Sequence, residues 1–172
     1  MSNNLYVCMQ PPLWIREGLA EVKGCNVPVE KMHVTLTFNG TLNVGSDHSQ
    51  RKLDDTLAVV LQLAQEHIPC EGMVVGFEWF GHDHTTVAAT VLANEGLFRL
   101  QRALVYNLKQ CDVYVSDGFA FTPHITVVKK AKENMTSPNT PIIAHSFQFE
   151  AITVVPGDLS QATHFPLIGV TT

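Results

Sequence analysis

The chain carries the same short element twice. His33-Val34-Thr35 and His124-Ile125-Thr126 each open an apolar, β-branched run that reads as a strand, and each follows a segment of helical periodicity, residues 12–23 and 94–110. Successive side chains of a strand point to opposite faces. His33 and Thr35 therefore share one face, as do His124 and Thr126, while Val34 and Ile125, with Leu36 and Val127 beyond, point into apolar packing. The motif histidines lie 91 residues apart, a little over half the chain, which suggests two related lobes.

The remaining segments fit that frame. Residues 5–9 read as a first strand, and 33–38 as the next, closed by Asn39-Gly40. Leu53, Leu57, Val60, Leu61 and Ala64 predict a second helix that Asp47 or Ser49 could cap. Residues 71–80 and 85–92 predict a hairpin around a polar turn at 81–84, and Leu97, Leu100, Leu104 and Leu108 place one apolar face on the third helix. After the strand at 124–128, residues 131–141 read as a mobile surface loop. Two further strands are expected at 145–155 and 165–170. Strands and helices in this order give a mixed α+β fold, expected as one compact, bilobal domain over residues 1–172.

Composition narrows the function. Hydrophobic residues make up 45% and charged residues 16%, as in a folded domain, and the net charge is −5 with 11 Lys plus Arg. A protein that grips long nucleic acid by neutralising phosphates needs a basic face, which this chain lacks; a small anionic ligand held by a few donors remains compatible. Cys8, Cys25, Cys70 and Cys111 show no Cys-x-x-Cys spacing and read as free thiols. No signal peptide or transmembrane-length stretch is evident, so the expectation is a cytoplasmic protein without membrane contact, and a monomer. A Gly-rich phosphate loop is absent, and no cofactor is implied.

Two His-x-Thr strands side by side would put two imidazoles and two hydroxyls around one cleft. One neutral His can take a proton from an attacking oxygen while a protonated His gives one to a leaving oxygen. The Thr hydroxyls can donate to phosphate oxygens as charge builds. This arrangement demands no metal. Tyr6 on the first strand, Trp79 and Phe80 before the hairpin turn, and Lys129 after the second motif are candidate substrate contacts, the aromatics by stacking on a base and the lysine by charge. His82-Asp83-His84 has the residue types of a metal site but no partner cluster, so a solvated turn is expected. His145 and His164 read as structural.

The segments Met32-His33-Val34-Thr35-Leu36-Thr37-Phe38-Asn39-Gly40 and Phe121-Thr122-Pro123-His124-Ile125-Thr126-Val127-Val128 resemble the two signatures of the 2H phosphoesterase superfamily, nearest to its RNA 2′,3′-cyclic phosphodiesterase / 2′-5′ RNA ligase branch. Asn39 stands where that branch usually has an apolar residue, Val127-Val128 replace the commoner Leu, and its Arg-rich substrate-facing residues are not evident. The resemblance implies a bilobal fold with two antiparallel-rich sheets and outer helices around a central cleft. It also implies a metal-independent phosphodiesterase in which His33 and His124 are the acid/base pair and Thr35 and Thr126 hold the phosphate. Substrates known for members include 2′,3′-cyclic phosphate ends, 2′-5′ oligoadenylates and, in a phage branch, cyclic oligonucleotides of antiviral defence. A small nucleotide or short oligonucleotide is the expected partner, with viral counter-defence as one role. Two other readings stay open at this stage: a binding module that sequesters its nucleotide uncleaved, and a structural protein with incidental His-x-Thr strands.

Overall fold

In the computed structural model, residues 3–81, 85–130 and 145–169 are described. Their strands are β1 (Asn4–Met9), β2 (Val34–Thr41), β3 (Cys70–Phe80), β4 (Thr86–Ala93), β5 (His124–Val128), β6 (Phe147–Phe149), β7 (Ala151–Pro156) and β8 (Thr163–Pro166). The helices are α1 (Leu13–Ala20), α2 (Asp47–Glu66) and α3 (Glu95–Gln110). The turn at 82–84 and the expected loop at 131–141 lie outside the described residues.

All strand pairs are antiparallel, in the order β6-β3-β4-β5-β2-β1-β7-β8. The two expected antiparallel halves, β6-β3-β4-β5 and β2-β1-β7-β8, join into one sheet through a single registered pair, Val34 with Ile125. Each half brings its motif strand to that junction. The halves also share a local order: β1-α1-β2 and β4-α3-β5 are both strand, helix, motif strand, with the two strands paired. The lobes do not follow the chain, because β7 and β8 return to the first.

The run at 145–155 is two strands rather than one. Glu150 alone separates β6 from β7, yet these strands lie near opposite ends of the sheet order. A flat sheet would set them about 29 Å apart at about 4.8 Å per strand, whereas two residues of chain reach only about 7 Å. The sheet must therefore curl until its far strands nearly meet, with Phe149 and Ile152, both fully buried, at the seam.

The helices follow their apolar stripes. On α3, Leu97, Leu100, Leu104 and Leu108 are all fully buried, and Asn94 caps it by accepting from the Leu97 amide at 3.2 Å. The cap of α2 is neither Asp47 nor Ser49 but Ser46, whose hydroxyl accepts from the Ser49 amide at 3.4 Å. Its buried stripe runs through Thr56, Val59, Val60, Leu63 and Ala64, leaving Leu61 47% exposed. Helices α2 and α3 pack together, α2 against β7 and β8, α3 against β2, β3 and β4. The last strand is β8, which begins two residues before the stretch expected at 165–170 and ends at Pro166.

Candidate active site

The register at the junction fixes the site. Val34 and Ile125 are paired and fully buried, so they anchor both strands in the core. Counting outward in the antiparallel sense sets His33 across from Thr126 and Thr35 across from His124, all four on the face opposite the anchors. The two strands splay on either side of this one contact. In the wedge between them a cavity of about 660 Å³ is lined by Thr35, Phe38, Gln101, Phe121 and His124. A second cavity, about 530 Å³, takes in Tyr6, Lys31, His33, Thr35, Lys129 and Asp158, and the two share Thr35 and Phe38. Thr126 lines neither cavity; its place beside His33 rests on strand register alone.

Both imidazoles are held in the same way. His33 Nδ1 lies 2.7 Å from the Lys31 carbonyl and His124 Nδ1 2.7 Å from the Thr122 carbonyl. A carbonyl only accepts, so Nδ1 carries the proton in each ring, and Nε2 is the nitrogen left to exchange one. Each ring is also stacked: His33 on Tyr6 with centroids 5.2 Å apart, His124 on Phe80 at 4.3 Å. Burial pushes the His33 pKa below the ordinary histidine value, against the Lys31 hydrogen bond, which raises it; Lys129 and His124 nearby add to the lowering. Burial, helped by Cys8 and Asp158, raises the Tyr6 phenol to about 12, so it remains a donor at neutral pH. The Cys8 thiol, fully buried opposite Thr35, is pushed up to about 12 by burial and is no nucleophile.

Of the expected substrate contacts, Tyr6, Phe80 and Lys129 stand at the cleft. Trp79 alternates with Phe80 along β3 and packs against the core instead. Sequence reasoning missed Phe38. Simple alternation along β2 buries it, but β1 pairs Cys8 with Thr35 and Val7 with Thr37, leaving Leu36 as an extra residue. This bulge inverts the alternation: Thr37 and Asn39 turn inward and Phe38 outward, 38% exposed. The buried Asn39 is thereby satisfied, accepting from the Thr37 hydroxyl at 3.0 Å and donating to the Tyr114 carbonyl at 2.9 Å. Asn26 was also missed. It bonds Lys129 in both directions, amide to carbonyl and backbone amide to side chain, each at 2.8 Å. His164, expected to be structural, is exposed on β8 with Nδ1 2.8 Å from the Thr153 hydroxyl. Among the described residues no group of three His, Cys, Asp or Glu side chains converges as a metal site.

One hydroxyl beside the site is unpaired. Thr90 Oγ1 is the single buried side-chain polar atom without a hydrogen-bond partner among the described residues. Thr90 is registered opposite His124. The Val91 amide bonds the Pro123 carbonyl at 3.0 Å, so Thr90 and His124 form a non-hydrogen-bonded pair, whose side chains approach closely. Thr90→Val removes the desolvated hydroxyl and is expected to stabilise the free protein by about 1 kcal/mol, a rise of about 2–4 °C in Tm. A fall in Tm would show instead that the hydroxyl is satisfied.

A family model for the 2′-5′ RNA ligase superfamily matches residues 15–155, most of the chain and both motifs. The chain belongs to that superfamily, the 2H phosphoesterases. Solved structures agree in fold. TT0787 of Thermus thermophilus superposes with a TM-score of 0.74 at 22% identity, covering 98% of this chain and 100% of that one. Escherichia coli LigT complexed with 3′-AMP gives 0.66 at 20% identity, covering 97% and 96%, and Kluyveromyces marxianus Usb1 gives 0.60 at 12%, covering 96% and 99%. A search of curated proteins by sequence finds no match. No described helix of this 2H phosphoesterase is long and apolar enough to cross a membrane.

Proposed function

We propose that this 2H phosphoesterase is a metal-independent phosphodiesterase that cleaves small RNA-type phosphodiesters, acting as a cytoplasmic monomer. Its substrates would be 2′,3′-cyclic phosphate ends, 2′-5′ oligoadenylates or cyclic oligonucleotides, the last as a viral counter-defence activity. The observation that carries the reading is the shared orientation of His33 and His124: each gives Nδ1–H to a carbonyl two residues back, leaving two Nε2 atoms free on one face. The complex of Escherichia coli LigT with 3′-AMP, a small nucleotide, lends support from a relative.

The roles follow from environment. The lowered pKa of His33 favours its neutral form, so it serves as base, and His124 serves as acid. On a linkage with a neighbouring 2′-hydroxyl, that oxygen attacks phosphorus and its proton passes to His33 Nε2. The bond from phosphorus to the leaving oxygen breaks, and that oxygen takes a proton from His124 Nε2–H. The products are a 2′,3′-cyclic phosphate and a free hydroxyl. On a 2′,3′-cyclic substrate, water takes the place of the attacking hydroxyl. Thr35 and Thr126 donate to the non-bridging oxygens, and Lys129 supplies charge at the His33 cavity.

The test is incubation in EDTA with 2′,3′-cyclic nucleotides, 2′-5′ oligoadenylates and cyclic di- and trinucleotides, products being resolved by chromatography. Turnover is expected, and none of it from well-folded protein would leave the sequestering module as the better reading. The acid limb of kcat/KM is expected to fall off below the roughly 6.5 of an unperturbed histidine, because His33 must lose its proton to act as base and its pKa is lowered. Lys129→Gln removes one cation that lowers it, so that limb should move to higher pH.

A further inference from the structure

The cleft does not end at His33. A third cavity, about 750 Å³, adjoins the His33 cavity through Gly157 and Asp158, which line both. Three cavities therefore adjoin one another in series, and their linings differ in kind. The His124 wedge has an aromatic wall of Phe38, Phe121, Tyr106 and Phe119, the last two 65% and 83% exposed, and its charged side chains are committed to ion pairs, Arg102 with Glu95 and Lys109 with Asp117. The middle cavity holds the imidazole of His33, the Thr35 hydroxyl and the cations Lys31 and Lys129. The third has no Lys or Arg in its lining; Leu42 and Leu53 give it an apolar wall, and Asn3, Asn43 and Gln161 rim it with amides.

Those amides are uncommitted. Gln50 in the same lining spends its amide on Asp54 at 2.8 Å, and Ser46 and Ser49 serve the entry to α2. The side chains of Asn3, Asn43 and Gln161 make no hydrogen bond to the described residues. Each amide offers both a donor and an acceptor, as the edge of a nucleobase does. The volume is that of a small-molecule site. Without a cation, and with the carboxylates of Asp47 and Asp158 in its wall, it suits an uncharged heterocycle with its sugar and repels phosphate.

Resting on the phosphodiesterase reading, we propose that the cavity beyond His33 reads the identity of one base by hydrogen bonds, while the His124 wedge holds the other mainly by stacking. Stacking on an aromatic wall is tolerant of sequence because every base has a π-face. A hydrogen-bonding pocket discriminates, because a wrong base leaves donors and acceptors unpaired. The enzyme is thus selective on one side of the scissile phosphate and permissive on the other.

Dinucleoside monophosphates with each of the four bases on either side test this, together with their 2′-deoxy counterparts, which lack the attacking hydroxyl and report binding by calorimetry. A base change on one side is expected to alter kcat/KM and Kd by about tenfold or more, and on the other by less than about threefold. Asn43→Ala combined with Gln161→Ala should flatten the preference, Asn43→Asp should shift it toward a different base, and Phe119→Ala should weaken all substrates alike. Equal preference on both sides, or a preference that survives the double variant, overturns the proposal, as does failure of any of these compounds to bind. Base-selective binding with no turnover anywhere would sink the phosphodiesterase reading and leave the reading pocket standing.

Discussion

Replacing either His33 or His124 by alanine is expected to lower kcat/KM on the preferred substrate by about 10²–10⁴, with the double variant falling little further. In the proposed mechanism each imidazole transfers one proton of the same exchange, so loss of either disables the step that the other serves. Both rings sit half-buried at the cleft, and Val34 and Ile125, which hold the two strands in the core, are untouched. The variants should therefore keep the wild-type Tm within a few degrees. The pH profile separates the roles: His33→Ala should remove the acid limb and His124→Ala the basic limb. Activity within threefold of wild type in either variant would end the paired-histidine mechanism, and loss of the same limb in both would end the assignment of base and acid.

What made these residues legible is that their geometry is local. Two residues of strand suffice to put a histidine and a threonine on one face, and β-branched neighbours are enough to predict the strand. The other residues of the cleft depend on partners far along the chain. Phe38 reaches the cleft only because β1 forces a bulge at Leu36, and no pattern within β2 announces it. Trp79 and Phe80 are equivalent in sequence; the register of β3 on β4 decides which one faces His124. Lys31 contributes a carbonyl to His33, which its side-chain identity does not encode. The amide-rimmed cavity joins three stretches far apart in the chain, Asn3, residues 42–53 and residues 156–161, the last of which also brings Asp158.

The same division holds for the fold. The leucine stripe of α3 is legible residue for residue, because helical burial repeats within the helix. The second helix stands where its periodicity predicts, yet its cap is Ser46, one residue before Asp47, since several residues there could accept an amide and backbone conformation picks one. The stretch 145–155 reads as one strand because its apolar residues continue through Glu150. Only the pairing, β6 with β3 and β7 with β1, splits it. Strand partnership is non-local, and so is the curl that follows from it.

That seam is where the largest loss of stability is expected. Phe149 is fully buried, edge-on to Phe147 with centroids 5.1 Å apart, and its ring fills the space over Gly72, where an added Cβ would come within 3.0 Å. Strand β6 has only three residues, so its docking on β3 rests on two aromatic side chains and a short ladder. Phe149→Ala should cost about 3–5 kcal/mol, from lost burial and the cavity left behind, against a typical total of about 5–15. Urea unfolding followed by fluorescence measures it, and a cost below about 1 kcal/mol would mean that β6 does not close the sheet. The site should be spared in the molecules that stay folded. The Val34–Ile125 junction lies at the middle of the strand order and β6 at one end, so kcat/KM per folded molecule, measured cold, should remain near wild type. Closure of the sheet and the chemistry of the cleft are then separable: one depends on aromatic packing at the far strand, the other on two strands that touch at a single pair.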